Sequence, residues 1–389
     1  MKISVPYNGD IQLIDELGGY EYISCFFGGS SQEGCGSGRS VAAMPISTRS
    51  DIEQAVKRAH MYNKEFNYLM NSSCLGNREY EDEGYRQIVD QMDWAAEIGV
   101  DWITLANQLL VDICRRRHPE IKVSLSSFAV VESVERAKYF DSMGVKEITV
   151  RENIARDFRL LERIQNSVEC EIQVIVNQTC LYECPMQVYH DNVMSHGSSN
   201  RGTDNQSFMD YCSVKCTYEK FNDPGNIMKA RWIRPEDLAE YEKIGIHRFK
   251  LTDRSKSTVW LLQAAKAYHD RQYPGNLADI LNIVHTNHRR TAGAVTREKA
   301  VFSRQTQQSR QSIRALTLLD VYIDNSKLQG FIDFFKEVDC RSLDCAVCGY
   351  CDQFAVEALS FPDPSARTKS LNMLQQLVQD TAERQPKVF

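Results

Sequence analysis

Short apolar runs alternate with amphipathic stretches through about the first 270 residues. Eight runs read as strands: 2–7 (KISVPY), 22–28 (YISCFFG), 66–71 (FNYLMN), 101–107 (DWITLAN), 122–128 (KVSLSSF), 147–153 (EITVREN), 171–177 (EIQVIVN) and 247–253 (HRFKLTD). Helical period marks 10–18, 51–64, 85–99, 108–117, 133–144, 157–168, 232–245 and 257–272. In 51–64, for example, Ile52, Ala55, Val56 and Ala59 form one stripe. Gly99, Gly144 and Gly245 stop three of these helices, and Pro235 opens one. Strands alternating with helices need a parallel sheet. Eight such units predict an α/β fold, a closed (β/α)8 TIM-like barrel. A doubly wound open sheet is the rival, but Asn8-Gly9-Asp10 is not the G-x-G-x-x-G turn that fold often carries.

The regular alternation breaks twice. After strand seven comes an insert, 178–231, that carries cysteines. Residues 1–280 then make the barrel with its insert, and 281–389 a cysteine-rich helical extension. Within the extension, 285–316 is polar and reads as a surface excursion or lid. Residues 322–340 read as a strand-like start followed by an amphipathic helix, and another helix starts in 354–361. Pro362 and Pro364 interrupt before a final helix at about 368–384. This tail is too short for its own core and is expected to pack on the barrel. The glycine-rich loop 29–40 lacks the GKS/T ending of a phosphate-binding loop.

The chain has 389 residues, and 42% are hydrophobic, enough for a sizeable core. A net charge of -6 argues against a surface that grips nucleic acid throughout. No signal peptide and no transmembrane run is legible, so a cytoplasmic protein without a membrane partner is expected. Thirteen cysteines in a reducing compartment point to metal rather than disulfides. Cys25, Cys74, Cys114 and Cys170 read as small buried hydrophobes. Eight others fall into two groups: Cys180, Cys184, Cys212 and Cys216, then Cys340, Cys345, Cys348 and Cys351. Each group supplies the four thiolates of a [4Fe-4S] cluster, so one or two clusters are expected. Structural zinc is the alternative, although the first group lacks the C-x2-C pairs zinc knots favour. No C-x3-C-x2-C triad for adenosylmethionine cleavage is present.

A barrel of this kind places its active site at the C-terminal ends of the strands. Those ends carry Arg151, Glu152, Asn177, Lys250, Asp253 and Arg254. The arginines and lysine can hold a carboxylate or phosphate, and Glu152 or Asp253 can carry protons. His190 and His196 lie in the insert, and either can ligate, donate a proton or simply hydrogen-bond. No G-x-S-x-G and no H-E-x-x-H occurs.

The segment NQTCLYECPMQVYH (177–190), the Cys212-x3-Cys216 pair and RWIRPEDLAEYEKIGIHRFKLTDRS (231–255) resemble the collagenase-like, PrtC-type peptidase family U. The FFGG to GSGR portion, 26–39, is similar to that family's early loop. The resemblance implies a barrel, a cysteine-bound [4Fe-4S] cluster, and oxygen-independent hydroxylation of RNA bases or ubiquinone precursors. It makes Cys180, Cys212 and Cys216 the closest matches to family ligands, with Cys184 in a region of variable spacing. Met186 and Gln187 stand where the family has an arginine-rich stretch, which disfavours RNA. The C-terminal cysteines fall outside the family pattern. The expected function is an iron–sulfur redox enzyme, an oxygen-independent hydroxylase or relative. Its expected substrate is a small molecule, cofactor precursor or peptide, and its expected partner a redox protein. The alternatives are a collagenase-like peptidase, an RNA base hydroxylation factor, and a non-enzymatic electron-transfer or binding protein.

Overall fold

Eight parallel strands pair in chain order and close on themselves. The computed structural model describes residues 1–31, 33–39, 47–199, 210–284 and 307–383. The strands are β1 (Lys2–Pro6), β2 (Ile23–Gly28), β3 (Glu65–Met70), β4 (Trp102–Leu105), β5 (Lys122–Leu125), β6 (Glu147–Thr149), β7 (Glu171–Ile175) and β8 (Arg248–Lys250). Closure is the β1–β8 pairing, with Lys2 opposite Arg248 and Ser4 opposite Lys250. This is the (β/α)8 TIM-like barrel that the alternation predicts. Most strands stop short of their expected C-terminal ends. β6 ends at Thr149 rather than 153, and β8 at Lys250 rather than 253. The polar residues beyond those points leave the sheet and become the mouth.

Helices α1 (Ile11–Gly18), α2 (Arg49–Met61), α3 (Asp82–Glu97), α4 (Gln108–Arg117), α5 (Val134–Ser142) and α6 (Phe158–Gln165) follow the first six strands in turn. Several start on a side-chain cap; Thr48 and Asp51 form a reciprocal box at α2, and Asn107 and Ser133 cap α4 and α5. Each such cap contributes about 1 kcal/mol. The insert after β7 folds into α7 (Gln187–His196), α8 (Tyr211–Asn222) and α9 (Gly225–Lys229). The helix expected over 232–245 is shorter. A 3-10 turn at Pro235–Asp237 leads into α10 (Leu238–Lys243). Trp232 and Ile233 stay extended because the Ile233 amide donates to Val176 O at 2.8 Å. α11 (Thr258–Asp270) follows β8.

The barrel interior is polar. Gln173 on β7 donates to Ser4 on β1 at 3.1 Å, reaching past β8, and to Glu147 at 3.0 Å. Ser124 donates to Glu147 at 2.7 Å, Thr149 to Gln173 at 2.9 Å, and Thr104 to Asn67 at 2.7 Å. Arg248 lies 3.3 Å from Glu147. The alternate positions, such as Ile3, Val5, Phe26, Phe66, Ile148, Val174 and Phe249, are buried with the apolar core. Successive side chains on a strand face opposite sides. The aliphatic face therefore meets the helices, and the polar face fills the barrel.

The C-terminal region comprises α12 (Gln307–Thr317), β9 (Tyr322–Ile323), α13 (Asp333–Glu337), α14 (Cys345–Cys348), α15 (Tyr350–Ala358), β10 (Leu359–Ser360) and α16 (Pro364–Ala382). Three expectations are corrected here, and a fourth falls mostly outside the described residues. Of the polar stretch 285–316, residues 285–306 lie outside the described residues, and the rest begins α12, where Ala315 and Leu316 are buried. The helix expected within 322–340 is broken by a 3-10 turn at Asn325–Leu328 and by Gly330 at φ +78, leaving the five-residue α13. The helix expected to start near 354 starts at Tyr350 and gives way to β10, which pairs antiparallel with β9. Pro364 does not delay the last helix but opens it, since its fixed φ suits a first turn.

The region shares the barrel's core. Trp232 stacks on Phe331 with centroids 5.9 Å apart, and Phe331 meets Phe335, Tyr350 and Phe354. The Arg156 guanidinium sits 4.4 Å over Trp232 and donates to Met228 O at 2.8 Å and Trp232 O at 2.9 Å. Phe331→Ala should destabilise the chain by about 3–5 kcal/mol. Denaturant unfolding followed by both fluorescence and circular dichroism should stay one transition. Two separated transitions would show that the tail and barrel unfold independently.

Candidate active site at the barrel mouth

Strand β7 runs into a loop that carries two thiols, and helix α8 presents two more. Cys212 and Cys216 are one turn apart and share a helix face. Asp210 caps α8 by accepting from the Ser213 amide at 2.8 Å. Cys180, Cys184, Cys212 and Cys216 line one cavity of about 150 Å³ at the barrel mouth. All four are unbridged. Among the described residues, no three His, Cys, Asp or Glu side chains form a group set for one metal ion. The thiols are arranged around a shared space instead. Burial pushes the Cys180 thiol up to about 12, with Glu152 and Cys216 adding to the rise. Burial pushes Cys212 to about 12 as well, helped by Asp210, and raises Cys184. Without a cation these three thiols hold their protons at neutral pH.

The same cavity is lined by Arg151, Glu152, His190, Lys250, Asp253 and Arg254. The structure thus brings the named strand-end groups together with the first cysteine set. Arg151 is buried and donates to Asp191 at 2.7 Å and to Ser127 O at 3.1 Å, with Glu152 3.5 Å away. Burial alone would lower its guanidinium, but Glu152 and Asp191 outweigh that and raise it. Asp191 is pushed up to about 7 by burial, against the pull of Arg151. Lys250 is buried, lies 4.5 Å over the Phe27 ring, and is lowered chiefly by burial. Arg254 donates to Ser37 Oγ at 3.0 Å. Burial lowers it to about 10, with the like charge of Arg39 next in weight. Arg39 in turn lies 3.4 Å from Asp253.

Asn177 stands apart from the cavity lining. It is fully buried, accepts from the Thr252 amide at 2.8 Å, and its own carbonyl accepts from the Asn282 amide at 2.8 Å. It ties the end of β7 to the segment after β8. His196 is exposed at the end of α7 and does not reach the cavity. His190 Nε2 lies 3.4 Å from Ser213 Oγ and 3.5 Å from Asp210. These residue types match a hydrolytic triad, but the wiring does not. Both contacts fall on the same ring nitrogen, and Ser213 donates to Asp210 at 2.7 Å. A triad needs the acid on the opposite nitrogen, orienting the base.

Three further charges stand at the site. Arg39, Asp191 and Lys220 all line the cavity. Arg39 closes the glycine-rich loop, which is the one signal that could have singled it out. Asp191 and Lys220 sit in helices of the insert with no periodic or motif signature.

The fold and site define a TIM-barrel protein with a thiol-lined, charged cavity at the catalytic end of its strands. The chain belongs to Peptidase family U32, whose profile matches residues 37–273. It is similar to the uncharacterized protease MJ1657 of Methanocaldococcus jannaschii, at 29% identity over 83% of this chain and 85% of that one. It is also similar to the solved U32 peptidase Mk0906, with a TM-score of 0.49 and 20% identity over 65% of this chain and 93% of that one.

The raised Asp191 has a consequence for stability. The unfolded chain releases this proton near the ordinary 3.8, the folded chain only near about 7. In that window the unfolded state binds fewer protons, so this group lowers stability as pH rises. Asp191→Asn should remove that slope. Denaturation midpoints should show the variant gaining on the parent from acid toward neutral pH, and parallel curves would refute the assignment.

Proposed function

We propose that this chain is an iron–sulfur enzyme, with a [4Fe-4S] cluster held by Cys180, Cys184, Cys212 and Cys216. Its finer activity is oxygen-independent hydroxylation, or a related redox modification, of a small molecule, cofactor precursor or peptide. The observation that carries this reading is that four unbridged thiols face the same mouth cavity as five cations. The cations are Arg39, Arg151, Lys220, Lys250 and Arg254, against the carboxylates Glu152, Asp191 and Asp253. The donor set fits the cofactor: soft thiolates from a loop and a helix that line one cavity.

When bound, such a cluster supplies electron transfer and, at an iron lacking a thiolate, a Lewis-acid position. The protein's residues do the rest. The cationic excess offsets the charge of the ionised thiols, whose protons leave on loading. Arg39 and Arg254 bring two positive charges side by side and favour a carboxylate or phosphate on the substrate. Arg151 holds Asp191, whose proton near neutral pH is available for transfer. A redox partner protein and a reducing, cytoplasmic setting belong to the same reading, and the unbridged cysteines support it. Among the described residues no helix is long and apolar enough to cross a membrane.

Peptide hydrolysis is the second reading, and the names of the family and its relative favour it. The site geometry supports it less, because His190 is not wired as a base.

Protein purified without oxygen should be brown and contain acid-labile sulfide. Cys212→Ser with Cys216→Ser should remove about four irons, the content of one cluster. A colourless protein with zinc alone would refute the cluster. Cleavage of a peptide library that is lost with His190→Ala would transfer the assignment to the second reading.

A further inference from the structure

The second set of cysteines also converges. Cys340, Cys345, Cys348 and Cys351 line a separate small cavity, which they share with Tyr182, Lys229, Arg231 and Tyr350. We propose that this is a second iron–sulfur site, ligated by these four cysteines and built wall to wall against the first. The second site stands on its own residues; only its coupling to the mouth rests on the cluster reading above.

Local structure turns the thiols toward one another. All four are unbridged and half-buried. Asp344 caps the short α14 by accepting from the Ala346 amide at 2.8 Å. Gly349, at φ +64, then reverses the chain between Cys348 and Cys351. A side chain there would strain the backbone, and glycine does not.

The cations around the cleft are arranged for an anionic centre. Arg231 is buried, and its Nε donates to no protein atom. Its guanidinium lies 3.8 Å over the Tyr182 ring and 5.4 Å over Phe335. Arg156 lies behind it, held by carbonyl oxygens rather than by a carboxylate. Lys229 is paired with Asp352 at 2.8 Å. A buried donor without a partner costs free energy unless a ligand satisfies it. A thiolate-ligated centre beside Arg231 does so.

The choice of iron–sulfur over zinc rests on chain spacing. Three of the thiols come from one C-x2-C-x2-C run, and the fourth is Cys340. Structural zinc is usually gripped by two separate pairs. A run of three closely spaced cysteines matches the way a four-iron cluster is bound.

The first site forms one wall of the second. Tyr182 lies between Cys180 and Cys184, yet its ring lines the C-terminal cavity. Glu183, next to it, lies 3.6 Å from Arg341, the residue after Cys340. The loop that carries two mouth thiols is therefore shared by both sites.

The test uses the full chain purified without oxygen, with iron, sulfide and zinc counted and spectra recorded after dithionite reduction. The parent protein should hold about eight irons, four for each four-thiolate site. Cys345→Ser with Cys348→Ser should lose about half and keep the mouth signal. Cys212→Ser with Cys216→Ser should lose the other half. The reduced parent's paramagnetic resonance spectrum should be broader than the sum of the two variants, because adjacent clusters interact. Full iron in the Cys345/Cys348 variant, or loss of one zinc with no sulfide, overturns the second site. If only the Cys345/Cys348 variant loses iron, the mouth assignment fails and the second site stands. Should that variant not fold, Arg231→Gln leaves the thiols intact. It should lower the reduction potential of one signal only, and two unmoved signals overturn the proposal.

Discussion

Glu147 is buried inside the barrel, with Ser124, Gln173 and Arg248 arranged around it. Burial raises its carboxyl above the usual range, against the pull of Arg248 and Lys250. A polar interior of this kind is tolerated only if its members satisfy one another. The usual TIM-barrel interior is layered with branched aliphatics. Here cohesion moves outward, to the face where Ile3, Phe26, Phe66, Ile148 and Val174 meet the helices. The strands must hold register for two reasons at once. A slip would expose the aliphatic row and break the internal hydrogen bonds.

The same constraint delivers the site. Lys250 belongs to the last strand and is counted both by Glu147 below and by the mouth cavity above. Arg151 and Glu152 follow β6, and the first cysteines follow β7. Neighbouring strand ends thus bring a cationic group and two thiols to one rim without any long-range coincidence in the loops. α8 then covers the rim from outside and adds Cys212 and Cys216.

The eight strands were legible because each run is rich in β-branched and aromatic residues between polar breaks. Their C-terminal ends were not, because Val150 continues the strand composition although Arg151 and Glu152 already serve the mouth. The polar interior was also hidden. Alternation such as Ile172-Gln173-Val174 reads as one face toward water, yet that face is sealed inside the barrel. The mouth residues Arg151, Lys250 and Arg254 were readable from the fold rule alone. Asp191 was not, because a carboxylate in a polar insert looks solvated until Arg151 is found beside it. The misplaced tail helices have local causes: Gly330 breaks one run, and Pro364 begins a helix that it was read as delaying.

Asn177 and its neighbours draw together three parts of the chain far apart in sequence. Asn177 joins Thr252 and Asn282, Gln178 joins Asn282 at 3.1 Å, and Thr179 donates to Asn282 O at 2.6 Å. Cys180 is the next residue. Its backbone is thus placed by hydrogen bonds among Asn177, Gln178, Thr179, Thr252 and Asn282, and its thiol accepts from Gln178 Nε2 at 3.4 Å. In a zinc finger, metal uptake is folding itself. Here the loop has an anchor of its own, so the proposed cluster would spend little of its uptake free energy on ordering the loop's first residues. Loss of the proposed cluster would then empty the mouth without unfolding the barrel, and the same chain could be loaded again.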